Sequence, residues 1–387
     1  MFKIQKINNL SPLGLDRFPV ANYELATDTA SPDAIMLRSQ KLHDMKFDDN
    51  LKAIGRAGAG VNNIPVERLT QLGVPVFNAP GANANAVKEL VIASLFLAER
   101  NLYQAVAYTK SLTSEGAALD KEVEDGKKRF VGRELPGRTL GVIGLGAIGV
   151  EVANTAVALG MEVIGFDPAI TVTSAWQLSS AVEKANSVDE VLSRSEFVTF
   201  HVPLLDATRH MINPQRLHGM RDGTVVLNFA RAGVVDDDAI LSGLESGKIK
   251  TYVCDFPTQQ TISHENVITL PHLGASTAEA EENCAIMVAD QLRDFLEHGN
   301  IRNCVNFPTV ELSRKSEFRL ALIHRNVPDM VGQISHQLGV SKINICHMIN
   351  ESHQHVACTL IDTEVAVPDE TMEAIRAIEG LLKARRI

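Results

Sequence analysis

Leu140-Gly-Val-Ile-Gly144-Leu-Gly146-Ala-Ile-Gly149 is the stretch of sequence that decides the fold. An apolar run typical of a buried strand leads directly into three spaced glycines, and a helix-like stretch follows. The glycines permit a tight strand-to-helix turn and let backbone N–H groups approach a pyrophosphate at the helix N-terminus. The alternative is a glycine-rich turn that only packs a helix against a strand.

The residue that ends the next predicted strand favours the first interpretation. Asp167 follows Val163-Ile-Gly-Phe166, eighteen residues after Gly149. A carboxylate at this point can accept hydrogen bonds from both ribose hydroxyls of a dinucleotide, and it repels a 2′-phosphate. Together the two features predict a site for NAD rather than NADP.

Strand-like and helix-like segments alternate along most of the chain, which is typical of parallel α/β sheets. The first hundred residues contain apolar runs at 34–37, 53–54 and 74–77 and helix-like stretches at 65–72 and 86–97. A polar, charged segment from Ser111 to Lys128 separates them from a second series of predicted strands at 139–143, 162–166, 197–201, 224–228, 251–254 and 267–270. Six strands with helices between them predict a doubly wound sheet.

The last third of the chain changes its pattern. An amphipathic helix over 278–298 could lead back to the first unit. After a polar junction at 311–317 come a strand, a helix, two strands, a helix and a strand, at 319–324, 330–338, 343–349, 355–362, 368–378 and 381–385. The predicted fold is therefore α/β, with two Rossmann-like or flavodoxin-like parallel-sheet domains and a small βαββαβ domain.

Composition limits the classes of function. The 387-residue chain is long enough for two or three domains, and its formal net charge of -10 makes nucleic acid a poor partner. Any anionic ligand must be held by a local cluster of positive groups. The five cysteines lack a C-x-x-C pair, which favours reduced thiols over disulfides or a zinc site.

No targeting or metal-binding signal stands out. His347, His353 and His355 have no cysteine or carboxylate at ligand spacing, so we expect no metal. Without a signal-like N-terminus or an 18-residue apolar run, we expect a soluble cytoplasmic protein that does not enter a membrane.

Two residues after predicted strands are candidates for chemistry. His272 lies just beyond a strand end, and imidazole is the usual proton carrier near neutral pH. Arg231 follows another strand end, where a guanidinium could bind a substrate carboxylate through two hydrogen bonds. The alternatives are a structural histidine and an ordinary surface arginine.

Six motifs carry a resemblance to a known family. They are Arg56-Ala-Gly-Ala-Gly-Val61, Val76-Phe-Asn-Ala-Pro-Gly81, the glycine stretch, His201-Val-Pro-Leu204, the loop around Arg231, and residues 265–277. In this order they resemble the D-2-hydroxyacid dehydrogenase family, and within it the members that oxidise 3-phosphoglycerate and carry a C-terminal ACT domain. The resemblance implies a substrate-binding lid domain at 1–98 completed by 280–308, an NAD-binding domain at 99–279, and an ACT regulatory domain at 317–387.

The resemblance also implies residue roles. His272 would take the hydroxyl proton of a 2-hydroxy acid, and Arg231 would hold its carboxylate. The implied cofactor-binding residues are Gly144, Gly146, Ala147, Ile148, Gly149, Asp167, His201, Val202, Pro203, Thr208, Phe229, Ala230, Asp255, His272 and Gly274. The implied substrate-binding residues are Arg38, Ser39, Arg56, Ala59, Gly60, Val61 and Arg231, although Arg38 and Arg56 could simply be solvated at strand ends.

One position departs from the family at the proton-transfer site. A glutamate of the family hydrogen-bonds the catalytic histidine, and here that position falls on Gln260. An amide could still orient His272, but it brings no negative charge to stabilise the protonated ring. We expect this arrangement to suit oxidation and to handicap keto-acid reduction near pH 7.

The third domain implies an effector. Residues 320–333 resemble the first strand and helix of an ACT domain, a module that pairs across subunits and binds amino acids. His324, Asn326 and Asn344 match positions that contact L-serine in the family. Asp329 replaces the family's glycine after the proline and places a negative charge where the serine carboxylate should approach. The alternative is a purely structural role in dimerisation.

The resemblance thus implies NAD-dependent oxidation of 3-phospho-D-glycerate to 3-phosphohydroxypyruvate, the first step of L-serine biosynthesis, in a homodimer or homotetramer. A second hypothesis is another D-2-hydroxyacid dehydrogenase or keto-acid reductase. The ACT-like segment and Arg38 argue against it. A third reading is an NAD(H)-sensing regulatory protein with little turnover, which Gln260 makes conceivable. The presence of Arg231 and His272 weighs against a pure sensor.

Overall fold

Three sheets organise the chain, and the computed structural model describes residues 1–387. Residues 1–83 and 278–387 form one unit, and residues 84–277 form the second unit. No helix is both long enough and apolar enough to cross a membrane. All five cysteines are free, and Cys346 is the exposed one.

The sheet at the start of the chain has five strands: β1 (Phe2–Lys6), β2 (Tyr23–Ala26), β3 (Ala34–Leu37), β4 (Ala53–Arg56) and β5 (Val76–Phe77). They are parallel in the order β2-β1-β3-β4-β5, and the short helices α1 (Pro12–Leu15) and α2 (Val66–Gln71) lie in the connections. Every residue of β3 is buried, which explains its continuous apolar run. The pattern predicted β3, β4 and β5, but it missed β1 and β2 because polar residues interrupt them.

The second unit contains a seven-stranded parallel sheet. Its strands are β6 (Thr139–Ile143), β7 (Glu162–Phe166), β8 (Glu183–Lys184), β9 (Phe197–Phe200), β10 (Thr224–Asn228), β11 (Ile249–Cys254) and β12 (Val267–Thr269). Its helices are α3 (Ala84–Glu99), α4 (Leu102–Ser111), α5 (Gly116–Gly126), α6 (Ala147–Ala158), α7 (Val172–Gln177), α8 (Val188–Arg194), α9 (Pro214–Gly219), α10 (Asp237–Glu245) and α11 (Gln259–Ile262). The order β12-β11-β10-β9-β6-β7-β8 reverses direction between β6 and β9, where doubly wound sheets bind their ligands.

All six strands predicted for this unit are confirmed, and three details differ. The strand β8 escaped prediction because it consists of two exposed, charged residues at the sheet edge. The segment expected as a polar separator begins at the end of α4 and contains α5. Helix α3 was placed before a boundary at residue 98, yet its Val87, Val91 and Leu95 share a core with Leu140 and Val142, so it belongs to the second unit.

The remainder of the first unit begins with α12 (Ala278–His298), which has the predicted bounds. The C-terminal sheet follows, with β13 (Phe318–Arg325), α13 (Met330–Val340), β14 (Ile345–His353), β15 (Val356–Thr363), α14 (Asp369–Arg376) and β16 (Leu381–Arg386). It is antiparallel in the order β14-β15-β13-β16, which confirms the βαββαβ pattern.

The two central strands of the C-terminal sheet, β13 and β15, are buried on both faces. Leu320 and Leu322 point to a core that includes Ile334 of α13 and Met372 of α14. Residues of the opposite face, Ala321, Ile323, Cys358 and Leu360, share a core with α12 and the first sheet. The sequence suggested a separate third domain, whereas the structure joins this sheet to the first unit through that shared core.

Candidate active site

The predicted site residues of the second unit lie at one edge of its sheet. Because all seven strands are parallel, their carboxyl ends meet at the same edge. Gly144, Asp167, His201, Asp255 and the loops of Arg231 and His272 each follow one of these ends. The fold therefore gathers residues that are widely separated in the sequence.

The glycine loop between β6 and α6 is shaped to admit a ligand. Gly144 has a φ of 92°, and a Cβ on Gly149 would collide with the carbonyl oxygen of Gly144. A Cβ on Gly146 would meet nothing within 4 Å, so the space beside it is open. No side chain caps the N-terminus of α6, whose first N–H groups include those of Ala147 and Ile148. This arrangement fits a pyrophosphate.

Asp167 is held beside that loop. One carboxylate oxygen accepts a hydrogen bond of 2.8 Å from the backbone N–H of Leu145, and the other accepts one of 2.9 Å from Ala169. A carboxylate has about four acceptor positions, so capacity remains for the two hydroxyls of a ribose. The geometry fits the predicted preference for NAD.

The loop after β9 contains a histidine that stays neutral. His201 Nε2 lies 3.0 Å from Thr199 Oγ1, and burial lowers the pKa of His201 to about 3. The ring is therefore unsuited to carrying the reaction's proton. Thr208 closes the same loop by donating to the carbonyl of Pro203 and accepting from the N–H of Leu205. The side chain of Val202 borders the glycine turn.

The loop that presents Arg231 is organised by Asn228, which the sequence analysis did not single out. Asn228 is fully buried, accepts a hydrogen bond from the N–H of Ala230 and donates one of 3.0 Å to the carbonyl of Arg231. These bonds define the turn through Phe229 and Ala230, and Arg231 itself is exposed. A buried asparagine at the last position of a strand is the signal that could have revealed this role.

The loop that presents His272 is held by Asp255. The two oxygens of this buried carboxylate accept hydrogen bonds of 3.0 Å from the N–H of Leu273 and 2.7 Å from the N–H of Gly274. His272 has a φ of 58°, an unusual value for a residue with a side chain. Its ring lies 5.1 Å from the ring of Phe256 in an edge-on arrangement.

Gln260 does not contact His272 through a hydrogen bond. It lies on α11, its side chain is exposed, and the helix start is capped by Thr258 and Thr261. The side chain that touches the His272 ring is Phe256. The orienting role predicted for Gln260 remains a prediction.

The first unit presents the residues predicted to bind substrate on two adjacent loops. Asn8 accepts hydrogen bonds from the N–H groups of Ser39 and Gln40, which shapes the turn after Arg38. Arg56 Nε donates to the carbonyl of Arg38, and Arg38 pairs with Glu281 at 2.5 Å. The two arginines are thus adjacent, and one already has an acidic partner. Asn8 was not predicted.

The other predicted substrate residues follow β4. The segment Ala59, Gly60 and Val61 is half-buried, and Asn78 donates a hydrogen bond of 2.6 Å to the carbonyl of Ala59. This bond fixes the backbone of the loop that was predicted to bind substrate.

The C-terminal sheet engages all three predicted effector residues internally. Both ring nitrogens of buried His324 are occupied, one by the carbonyl of Arg325 and one by Thr359, each at 2.8 Å. Asn326 donates to the carbonyl of Gln354, and Asn344 donates to Glu364. A ligand would have to exchange these bonds.

Comparison with known proteins places this geometry in a family. Residues 101–274 match the model described as "D-isomer specific 2-hydroxyacid dehydrogenase, NAD binding domain". The D-3-phosphoglycerate dehydrogenase of Methanocaldococcus jannaschii is 36% identical over 307 residues, which are 78% of this chain and 56% of that protein. The chain thus spans little more than half of that relative.

Two further relatives are covered more fully. The D-3-phosphoglycerate dehydrogenase of Haemophilus influenzae is 31% identical over 350 residues, 87% of this chain and 81% of that protein. The hydroxypyruvate reductase of Thermotoga maritima is 38% identical over 252 residues, 63% of this chain and 77% of that protein.

A solved structure shares the fold. The NAD+-bound 3-phosphoglycerate dehydrogenase of Entamoeba histolytica superposes with a TM-score of 0.62 at 24% identity, over 79% of this chain and 98% of that chain. Relatives above 30% identity that this chain largely covers, together with the matching NAD-binding domain, decide the assignment. The chain belongs to the family of D-isomer-specific 2-hydroxyacid dehydrogenases.

Proposed function

We propose that the chain is an NAD-dependent D-3-phosphoglycerate dehydrogenase that oxidises 3-phospho-D-glycerate to 3-phosphohydroxypyruvate, the first step of L-serine biosynthesis. The observation that carries the proposal is the placement of Arg231 and His272 at the sheet edge that also presents the glycine loop and Asp167. The names of the relatives from Methanocaldococcus jannaschii and Haemophilus influenzae support the substrate.

The chemistry divides among few residues. Oxidation removes a hydride from C2 of the hydroxy acid and a proton from its hydroxyl, and NAD, when bound, supplies the hydride acceptor. His272 takes the proton, because it is the exposed histidine at the sheet edge and the low pKa of His201 keeps that ring neutral. Arg231 pairs with the substrate carboxylate.

The substrate phosphate needs positive charge, which is scarce in a chain of net charge -10. Arg38 and Arg56 of the first unit are the proposed phosphate ligands, in keeping with a substrate-binding role for residues 1–98 and 280–308. Because Arg38 is paired with Glu281, the phosphate would compete with that carboxylate.

L-Serine is the proposed effector of the C-terminal sheet, which we propose to be an ACT domain. His324, Asn326 and Asn344 would bind it after releasing their internal partners. Because serine would have to replace these internal hydrogen bonds and approach the charge of Asp329, we expect weaker inhibition than at a site whose side chains have no internal partners. A homodimer or homotetramer is the proposed assembly.

A second candidate is a keto-acid reductase. The hydroxypyruvate reductase of Thermotoga maritima is 38% identical and is covered over 77% of its length, so the same site residues could serve a smaller acid without phosphate. In that case Arg38 and Arg56 would be dispensable.

The test is NADH formation from 3-phosphoglycerate and from D-glycerate, with wild type beside His272→Ala and Arg56→Leu. We expect turnover of 3-phosphoglycerate, at least a hundredfold loss in His272→Ala, and a raised KM for the phosphorylated acid alone in Arg56→Leu. The matched control is His218→Ala, which removes an exposed histidine of α9 and should leave activity unchanged.

Two results would contradict the proposal. Faster turnover of D-glycerate than of 3-phosphoglycerate would identify the reductase. Tight NADH binding without turnover of either acid would identify an NAD(H) sensor.

A further inference from the structure

A cavity of about 340 Å³ lies within the first unit, and none of the predicted cofactor, substrate or effector residues lines it. One wall is the inner face of the C-terminal sheet, with Ile323, Cys358 and Leu360. The opposite wall includes Phe295 near the end of α12 and Ile301 after it. The volume falls in the range of small-molecule sites, about 300–1,000 Å³, and the walls are mostly apolar.

Charged side chains collect at this otherwise apolar cavity. Lys52, Arg376, Lys383 and Arg385 line it, against the single carboxylate of Asp49. In a chain with a net charge of -10, such a local excess of positive charge is a recognition feature for an anion. The side chain of Arg376 is exposed and has no ion-pair partner.

Lys383 is the cation that an anionic ligand would stabilise most. Its ammonium group donates a hydrogen bond of 2.5 Å to the backbone carbonyl of Asp49, and no carboxylate lies in ion-pair distance. Burial lowers the pKa of Lys383, and the nearby charge of Lys52 lowers it further, although Asp48 and Asp49 oppose the shift. A partly desolvated cation that has no carboxylate partner is stabilised when a ligand carboxylate binds beside it.

The two other cations have structural partners. Lys52 pairs with Asp33 across the connection before β4. Arg385 donates to the carbonyl oxygens of Phe295 and Leu296, and its guanidinium lies 4.2 Å from the centre of the Phe295 ring. Lys383 and Arg376, which have no carboxylate within ion-pair distance, are therefore the cations available to an anionic ligand.

The cavity is preformed because its surroundings are tightly packed. Gly299 has a φ of 77°, and a Cβ there would come within 3.0 Å of Ile387, Leu360 and Ala321. A Cβ on Gly73 would come within 2.9 Å of Lys383 and Leu382. Glycines thus allow the C-terminal sheet to approach the first sheet closely, and the cavity is the gap left between them.

We propose that this cavity binds a small amphipathic carboxylate, with its hydrocarbon body against Ile323, Cys358 and Leu360 and its carboxylate against Lys383 and Arg376. The site is separate from the proposed dehydrogenase chemistry. Ligand binding bridges the first sheet and the C-terminal sheet, and so stabilises their attachment.

The test uses octanoate as the probe and 1-octanol as the uncharged probe with the same chain. Isothermal titration calorimetry of the full chain should show one octanoate per chain and at least tenfold weaker binding of octanol, the factor of one charge-assisted hydrogen bond. Lys383→Met should weaken octanoate binding by at least tenfold and leave octanol binding unchanged. Ile323→Phe should fill the cavity and abolish binding of both probes.

The matched control is Lys46→Met, which removes an exposed lysine of the first unit away from the cavity. It should bind both probes as wild type does, and thermal unfolding should show that all variants are folded. No binding of octanoate up to about 5 mM overturns the proposal, since that limit is weaker than any specific site of this size. Equal effects of Lys383→Met and Lys46→Met, or binding retained in Ile323→Phe, overturn it as well.

Discussion

At the scale of single residues, the proposed chemistry depends on side chains that position others. The buried carboxylate of Asp255 holds the loop of His272 by accepting hydrogen bonds from two backbone N–H groups. Hydrogen bonds to a charged group contribute about 1.5–3 kcal/mol each. The carboxylate therefore stabilises the backbone conformation, with φ of 58°, that presents the imidazole.

We expect Asp255→Asn to lower kcat by about 10–100-fold, because an amide has no charge and only one acceptor oxygen, so one loop N–H loses its acceptor. Steady-state kinetics check the rate, and fluorescence titration with NADH separates it from cofactor binding. Asp222→Asn, at an exposed carboxylate paired with Lys248, is the control and should be silent. Equal kcat in Asp255→Asn and wild type would refute the positioning role.

Gln260 lies at the position where the resemblance predicts a glutamate. Introducing a carboxylate by Gln260→Glu should help His272 keep its proton, so the pH profile of NADH formation should move upward by about one pH unit. Reduction of the keto acid near pH 7 should become faster. Gln259→Glu adds the same charge to the neighbouring residue, and an identical shift in both variants would show a general charge effect instead.

At the scale of elements, the N-terminus of α13 bears on the proposed binding of L-serine to the C-terminal sheet. Asp329 precedes the helix with a φ of 66°, a backbone conformation that glycine adopts more readily than other residues. Its carboxylate lies beside Gly332 in the first turn. It therefore occupies the position where the helix would attract the carboxylate of a ligand.

We expect Asp329→Gly to lower the L-serine concentration needed for half inhibition by at least tenfold, without loss of thermal stability. Inhibition curves and melting temperatures check both statements. Asp329→Asn keeps the side chain and removes only the charge, so it separates repulsion from crowding. Unchanged, weak serine inhibition in both variants would leave the sheet with a structural role.

At the scale of the whole molecule, a buried arginine of the C-terminal sheet is paired within the sheet and also connects the sheet to the rest of the first unit. Arg319 and Asp362 lie on adjacent strands, and both side chains are fully buried. Arg319 also donates to the carbonyls of His298 and Leu312, which connects the sheet to the end of α12 and to the segment after it.

Removing one partner of a buried pair leaves the other charge uncompensated. We therefore expect Arg319→Met to lower the free energy of unfolding by about 3–5 kcal/mol. Arg17→Met, which breaks the exposed pair with Asp290, should cost about 1 kcal/mol or less. Urea unfolding measures both, and similar losses in the two variants would contradict this account.

The same pair predicts a dependence on pH. Burial raises the pKa of Asp362, but hydrogen bonds from Arg319 and from the Lys315 N–H outweigh it and bring the pKa below its ordinary value of 3.8. A carboxylate with a lowered pKa in the folded state stabilises above its unfolded pKa and loses that contribution as the pH falls through the folded value. The melting temperature should therefore drop below about pH 4, and this acid step should be smaller in Arg319→Met.

By itself, the sequence determined most of the fold, and it predicted candidate site residues that the structure places after strands. All strands predicted for the second sheet, the helix 278–298 and the βαββαβ order appear in the structure, because apolar periodicity and glycine spacing are local signals. Parallel pairing then places Gly144, Asp167 and His272 at one edge whatever the details of the loops.

Only the tertiary structure decided how those residues are held. Asp255 reaches Leu273 and Gly274, and Asn228 shapes the Arg231 turn, through side-chain to backbone bonds that no periodicity encodes. Burial of the second face of the C-terminal sheet, and the cavity beside Lys383, likewise arise from packing between segments far apart in the chain. Such contacts depend on how closely segments that are far apart in the sequence approach one another in space. The periodicity of a sequence describes only neighbouring residues, so it does not show these contacts.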